Sequence, residues 1–292
     1  MATARANGID IDYDTFGDPA DPVMLLIMGL GGQLIVWDDE LCRQLAGHGF
    51  RVVRFDNRDV GLSTKLDDAP QPDMMAVLQG DRSSITYGLE DMAADAVGLL
   101  DALGIERAHI VGGSMGGMIA QLLAIDHPDR VLSLASIMSN TGDPSVGMPT
   151  PEAIELLMKP PPTGREEVIT REVETDRLLG SPGFPFDEAR TRRRAAASFD
   201  RSFYPPGVAR HVGAVVGAAD RTARLTKLDV PTVVIHGTAD PLVTPTGGEA
   251  TAKAIPGAEL IMIEGMGHEL PPGVWPRVVD AVAANASRGA RR

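Results

Sequence analysis

The sequence predicts an α/β protein: a mostly parallel central sheet, helices on both faces, and a helical cap inserted between two strands. Three observations carry this. Short β-rich runs alternate with helical patterns along most of the chain, as in a parallel sheet crossed over by helices. The apolar run from Val23 to Leu30 is too short to span a bilayer and reads as a buried strand. From about Thr141 to about Leu225 the alternation gives way to proline clusters, patchy amphipathic segments and an arginine run.

Each element has a local cause. Ile9 to Phe16 reads as an early strand, and Gly17 to Pro22 as a turn. Val23 to Met28 is a central strand followed by the glycine-rich loop Gly29-Leu30-Gly31-Gly32. Trp37, Leu41 and Leu45 repeat every four residues on a helix that Asp38 is placed to cap. Phe50 to Phe55 is the next strand. Glu90 to Leu103 carries Met92, Ala96, Leu99, Leu100 and Leu103 on one helical face and stops at Gly104. Ala108 to Val111 forms a strand leading into Gly112-Gly113-Ser114-Met115-Gly116, and a helix through Met118, Leu122 and Ile125 runs until Pro128 forbids it. Leu132 to Ser139, Val230 to His236 and Glu259 to Ile263 are further strands. A helix ending at Pro256-Gly257 separates the last two, and Val274 to Ala283 is the closing helix. This divides the chain into a core of residues 1–140 and 226–286, a cap of 141–225 and a flexible tail of 287–292.

Composition narrows the function. A chain of 292 residues with 43% hydrophobic and 23% charged residues has the make-up of an ordinary globular protein. Its formal net charge of −13 repels a phosphate backbone, which argues against nucleic acid as a partner. A single cysteine, Cys42, excludes an intramolecular disulfide. No apolar segment follows the first basic residue, so no signal peptide or membrane span is expected and the cytoplasm is the default location. No histidine or cysteine spacing suggests a metal site, and no cofactor is expected.

The sequence Gly112-Gly113-Ser114-Met115-Gly116 matches G-x-S-x-G, with a strand expected before it and a helix after it. A nucleophile on so sharp a turn needs glycine neighbours, because side chains there would clash. The same turn aims the free N–H groups of the new helix at the nucleophile, where negative charge develops in acyl transfer. Serine is a weak nucleophile at neutral pH and needs a base. Of the six histidines, His109 lies within a strand, His48 and His127 near helix ends, His236 at a strand end, and His211 in the cap, a mobile place for a base. His268, in the loop Gly265-Met266-Gly267-His268 after the last strand, is where an open α/β sheet builds its site. Asp240, also in a loop beyond a strand's carboxyl end, is placed to orient that base; Asp220 and Asp229 precede the strand and belong to the opposite rim. Two backbone N–H donors are needed for the oxyanion: Met115 after the nucleophile, and Leu30 in the glycine-rich loop.

With these residues in view the chain resembles the α/β-hydrolase superfamily, and within it the aclacinomycin methylesterase-like carboxylesterases. The likeness rests on Phe16 to Pro22, Met28-Gly29, Asp56-Asn57-Arg58-Asp59-Val60-Gly61-Leu62-Ser63, Ser114-Met115-Gly116 and Gly265 to His268. It implies a triad of Ser114, Asp240 and His268 with oxyanion donors at Leu30 and Met115. The chain departs from the pattern twice. Met28-Gly29 stands where many relatives have His-Gly, and Asp59 replaces the first glycine of D-x-R-G-x-G-x-S. Asp56, Arg58 and Ser63 read as scaffold for the site's rim.

The expected function is serine-dependent hydrolysis of a carboxylic ester through an acyl-enzyme. The same triad also serves thioester, acyl-transfer and carbon–carbon bond hydrolases, and a non-catalytic small-molecule receptor is a further alternative on this fold. Phe184, Phe186, Phe199, Phe203 and Tyr204 crowd the cap, which points to a substrate with a sizeable apolar part. Gly29, Phe199 and Phe203 are the candidates for lining its site. The run Arg190, Arg192, Arg193 and Arg194 reads as a solvated helix face balanced by nearby acids, with an anion clamp as the alternative. Cys42 reads as a small core residue.

Overall fold

The computed structural model describes residues 1–289. One eight-stranded sheet forms its centre, built from β1 (Ala2–Ala6), β2 (Ile9–Phe16), β3 (Val23–Ile27), β4 (Arg51–Phe55), β5 (Ala108–Gly113), β6 (Val131–Ile137), β7 (Thr232–Gly237) and β8 (Glu259–Ile263). Their order is β1-β2-β4-β3-β5-β6-β7-β8. The strands from β4 through β8 pair in parallel, while β1 and β2 join one edge antiparallel. The sheet therefore begins one strand earlier than the expected start at Ile9. The signal for that strand is Asn7-Gly8, both at positive φ (46° and 80°), the pair favoured in a two-residue hairpin turn. Ala2, Ala4 and Ala6 gave the strand itself too little apolar bulk to be read.

The central strands are buried on both faces, and successive side chains feed two separate cores. Leu25 and Ile27 face one side with Met92, Leu99 and Leu100 of α3 (Leu89–Ala102) and Ile119 and Leu123 of α4 (Met115–Asp126). Met24 and Leu26 face the other with Leu41, Cys42 and Leu45 of α1 (Asp39–Gly47) and Val278, Val279 and Val282 of α11 (Trp275–Gly289). Asp38 caps α1 by accepting the Glu40 N–H, as its position suggested. Trp37 does not ride on that helix. It ends a short 3-10 turn before it and is buried in the same core. The left-handed Gly104 (φ 68°) follows α3, and Pro128 opens the turn after α4. Cys42 packs in the core, and burial pushes its thiol up to about 12.

A short helix, α2 (Met74–Leu78), lies before α3, and α10 (Pro245–Ala254) crosses between β7 and β8. The chain between β6 and β7 is helical: α5 (Pro151–Leu157), α6 (Arg165–Leu179), α7 (Glu188–Arg201), α8 (Pro205–Val216) and α9 (Thr222–Leu225). The arginine run lies on α7 and is matched by acids. Arg190 bonds Asp38, Arg192 bonds Glu188 and Arg194 bonds Asp176, while Arg193 is exposed. The expected flexible tail needs correction over Ser287 to Gly289, which continue α11. There Arg288 reaches back to the carbonyl of Thr232 (2.8 Å) and to Asn285 (2.7 Å). The remaining tail residues, 290–292, lie outside the described residues.

Candidate active site

Strand β5 turns into α4 at Ser114, whose φ is +55°. That left-handed backbone is strained for a residue with a side chain and is sustained only where neighbours fix it. The glycines explain how. A Cβ on Gly112 would overlap the Gly116 carbonyl, and one on Gly116 would overlap the carbonyl of Ile27 in β3. Helix α4 can start this close to the sheet only with glycine at both places. Gly113, between Gly112 and Ser114, has ordinary space around it.

Two further loops converge on Ser114. Asp240 follows β7 and His268 follows β8, and the loops are bonded together: Thr238 N–H donates to Ile263 and Ala239 N–H to Met266. His268 Nε2 lies 2.9 Å from Ser114 Oγ, and His268 Nδ1 lies 2.8 Å from Asp240 Oδ2. The other carboxylate oxygen of Asp240 accepts the N–H groups of Leu242 and Val243, both at 2.9 Å. With Oδ1 so occupied, Oδ2 faces the imidazole and orients it with its proton on Nδ1. Nε2 then presents its lone pair to the serine hydroxyl. His236, buried behind Asp240, bonds the Val243 carbonyl at 2.7 Å and stiffens the same turn.

The glycine-rich loop after β3 lines the opposite side of Ser114. A Cβ on Gly29 would lie 3.1 Å from that of Ser114. The N–H of Gly32 returns to the Gly29 carbonyl at 3.2 Å, so Gly29 to Gly32 form a β-turn with Leu30 and Gly31 at its centre. The N–H groups of Leu30 and Met115 donate to no protein acceptor among the described residues, so both are free to receive an oxyanion.

Asp56 accepts the N–H groups of Leu34 (2.7 Å) and Leu62 (2.8 Å), Ser63 Oγ donates to the Asp56 carbonyl, and Arg58 clasps Asp95 at 2.6 and 2.7 Å. None of these side chains bonds to Ser114, Asp240 or His268. Phe199 and Phe203 stack on each other with centroids 4.8 Å apart, and Phe203 is 38% exposed. His109 is a core residue bonded to Ser133, and His48 and His127 cap α1 and α4. Asp220 is exposed.

Nothing in the sequence signalled how the helical segment between β6 and β7 bonds to the loops that flank Ser114. On the His268 side, the carbonyl of Leu179, the last residue of α6, accepts the His268 N–H at 2.6 Å, and Ser181 Oγ accepts that of Gly267. On the glycine-loop side, Arg201 of α7 pairs with Asp12 and Asp56, each at 2.6 Å. Helix α8 adds a buried ion pair from Arg210 to Asp59 at 2.8 and 3.0 Å. Asp59 is the residue that stood where a glycine was expected, and its backbone keeps the positive φ (67°) that glycine would supply.

A family model described as the α/β hydrolase fold matches residues 22–271. The chain is 35% identical to rhodomycin D methylesterase DauP from Streptomyces sp. (strain C5) over 290 residues, covering 92% of each protein. It is equally similar, at 35% over 291 residues and 92% of each, to rhodomycin D methylesterase DnrP of Streptomyces peucetius. Among solved structures it superposes on a meta-cleavage product hydrolase from Pseudomonas fluorescens with a TM-score of 0.76 and 19% identity, over 99% of this chain and 98% of the other. That last likeness is one of fold.

Proposed function

The chain belongs to the α/β-hydrolase family, and we propose from its site that it hydrolyses a methyl ester of a bulky apolar acid, with Ser114 as nucleophile. The two relatives that are 35% identical over 92% of each protein are methylesterases, so carboxylic ester hydrolysis is the reaction class. The observation that carries the assignment of roles is the unbroken chain of contacts from Ser114 Oγ through His268 to Asp240 at 2.9 and 2.8 Å.

The chemistry follows from that chain. Ser114 Oγ attacks the ester carbonyl as His268 Nε2 takes its proton, and the Asp240 carboxylate offsets the charge that forms on the imidazole. The carbonyl oxygen becomes an oxyanion facing the N–H groups of Leu30 and Met115. The intermediate collapses, the C–O bond to the alkoxy group breaks, and His268 returns the proton so that methanol leaves. Water, activated by the same imidazole, then attacks the acyl-Ser114 ester, releasing the acid and restoring the serine.

A small alcohol leaves the acyl part to supply binding energy, and the cap is where apolar surface is available. Burial there yields about 25 cal/mol per Å². Phe199→Ala or Phe203→Ala is therefore expected to raise KM for long or bulky acyl methyl esters while a fluorophosphonate still labels Ser114. A kcat/KM that falls steadily from acetate upward, unchanged by either substitution, would point to a narrow small-ester site instead.

The roles are tested by Ser114→Ala and His268→Ala. Each should lower kcat by several orders of magnitude, and the double variant should be little worse, since the residues act as a unit. Full fluorophosphonate labelling of Ser114→Ala would place the nucleophile elsewhere.

A further inference from the structure

His211 lies on α8, in the cap, yet it is entirely buried against core loops. Its Nδ1 is 3.2 Å from the Gly31 N and its Nε2 is 2.9 Å from the Arg58 carbonyl oxygen. A backbone N–H can only donate and a carbonyl can only accept, so the ring has one tautomer: Nδ1 accepts from Gly31 and Nε2–H donates to Arg58. Burial holds its pKa down to about 4, which keeps the ring neutral and the Nδ1 lone pair available.

Gly31 is the third residue of the turn from Gly29 to Gly32, with φ at +67°. A positive φ at that position after a negative one is the pattern of a type II turn, which differs from type I by a flip of the central peptide. The central peptide here joins Leu30 to Gly31, and its N–H is the group that His211 accepts. The turn is further seated by Val208, one helical turn before His211, whose methyl groups lie 3.2 and 3.3 Å from where a Gly31 Cβ would stand. Gly207 lets α8 come close enough, because a Cβ there would overlap the Asp59 carbonyl.

We infer that His211 is a positioning residue for the reaction: by accepting the Gly31 N–H it fixes the form of the turn on which Leu30 sits, and so steadies the backbone that carries the Leu30 N–H in the neighbouring peptide. The inference rests on the assignment of Ser114 as nucleophile and Leu30 as oxyanion donor. Because the bond is supplied by the cap, the cap sets the geometry of the oxyanion site as well as covering it. Leu30 serves the transition state more than the bound ester, so loosening its turn lowers kcat more than it raises KM.

Two near-isosteric substitutions separate this role from mere support. Asparagine can place its side-chain oxygen near Nδ1 and accept from Gly31, while losing the bond to Arg58. Glutamine can place its amide nitrogen near Nε2 and donate to Arg58, while leaving Gly31 without its acceptor. The expected result is a kcat for His211→Gln about tenfold below that of His211→Asn, the size of one hydrogen bond, with similar KM and Tm in the two variants. Equal kcat in both, at wild-type or at equally reduced level, would overturn the positioning role. Ser114→Ala, assayed alongside, distinguishes the two failures: if it keeps turnover, the nucleophile assignment is wrong, and if it loses turnover while the two His211 variants match, only the present inference falls.

Discussion

Ser114, His268 and Asp240 each depend on a few backbone atoms that no triad formula names. Ser114 keeps its left-handed φ because Gly112 and Gly116 let α4 start hard against β5 and β3. Asp240 keeps its orientation because Leu242 and Val243 occupy Oδ1. This makes Asp240→Asn informative. The asparagine oxygen stays on those two N–H donors, so its NH2 group turns to His268 Nδ1. The ring then accepts at Nδ1 and carries its proton on Nε2, facing the serine hydroxyl it should deprotonate. A fall in kcat on the order of 10⁴-fold is expected, with Tm little changed, from steady-state kinetics and thermal melts of the same preparation. A variant that turns over at the wild-type rate would remove Asp240 from the role of orienting acid.

Among the elements, α8 is the one whose sequence says least about what it does. Gly207, Arg210, His211 and Ala214 recur at i, i+3, i+4 and i+7 along its buried face, with Gly213 buried beside them. Two of the four are polar, so the face reads as broken amphipathicity until its partners are known. Arg210 is met by Asp59, with Tyr87 Oη also donating to that carboxylate at 2.8 Å. Burial pushes the Asp59 carboxyl up, but bonds from Arg210, the Leu66 N–H and Tyr87 outweigh it and hold it below the usual range. Asp59→Gly would relieve the positive φ, worth roughly 1 kcal/mol, but would strand a buried guanidinium at about 3–5 kcal/mol. The net loss is expected to be about 2–4 kcal/mol in urea unfolding. Adding Arg210→Met should recover most of it, and a double variant as unstable as Asp59→Gly would show that the ion pair is not the source.

Over the whole molecule, histidines buried in neutral form tie stability to pH. Burial, helped by the nearby Arg107 charge, depresses His109 from 6.5 to about 4. His211 is depressed to about 4 as well, and His236 is lowered by the same cause. Between pH 6.5 and 4 the unfolded chain takes up protons that the folded one refuses, so the contribution is complete above 6.5 and is lost as pH falls toward 4. For His109 alone this amounts to up to about 3 kcal/mol. The net charge of −13 acts the other way, because acidification relieves self-repulsion. Comparing urea midpoints of wild type and His109→Asn at pH 7 and pH 5 cancels that common background. The variant should lose about 2 kcal/mol less stability across the interval, and parallel losses in both proteins would show that His109 does not titrate on unfolding.

The sequence alone determined the alternation of strands and helices, the serine at its turn, and the loops carrying Asp240 and His268. All of these are local or periodic: a glycine pair around a serine, apolar runs of strand length, and acids or histidines just beyond strand ends. Strand β1 belonged to the same class, since Asn7-Gly8 marks its hairpin even where alanines hide the strand. Only the tertiary structure decided what the cap does for the site. Arg201, Arg210 and His211 meet Asp56, Asp59 and Gly31 from more than a hundred residues away, and a pairing at that separation leaves no period or spacing to read. His211 looked like a mobile cap residue because its two partners are backbone groups, and backbone groups are the same whatever the sequence. It is the docking of α8 through Gly207 that brings them within reach.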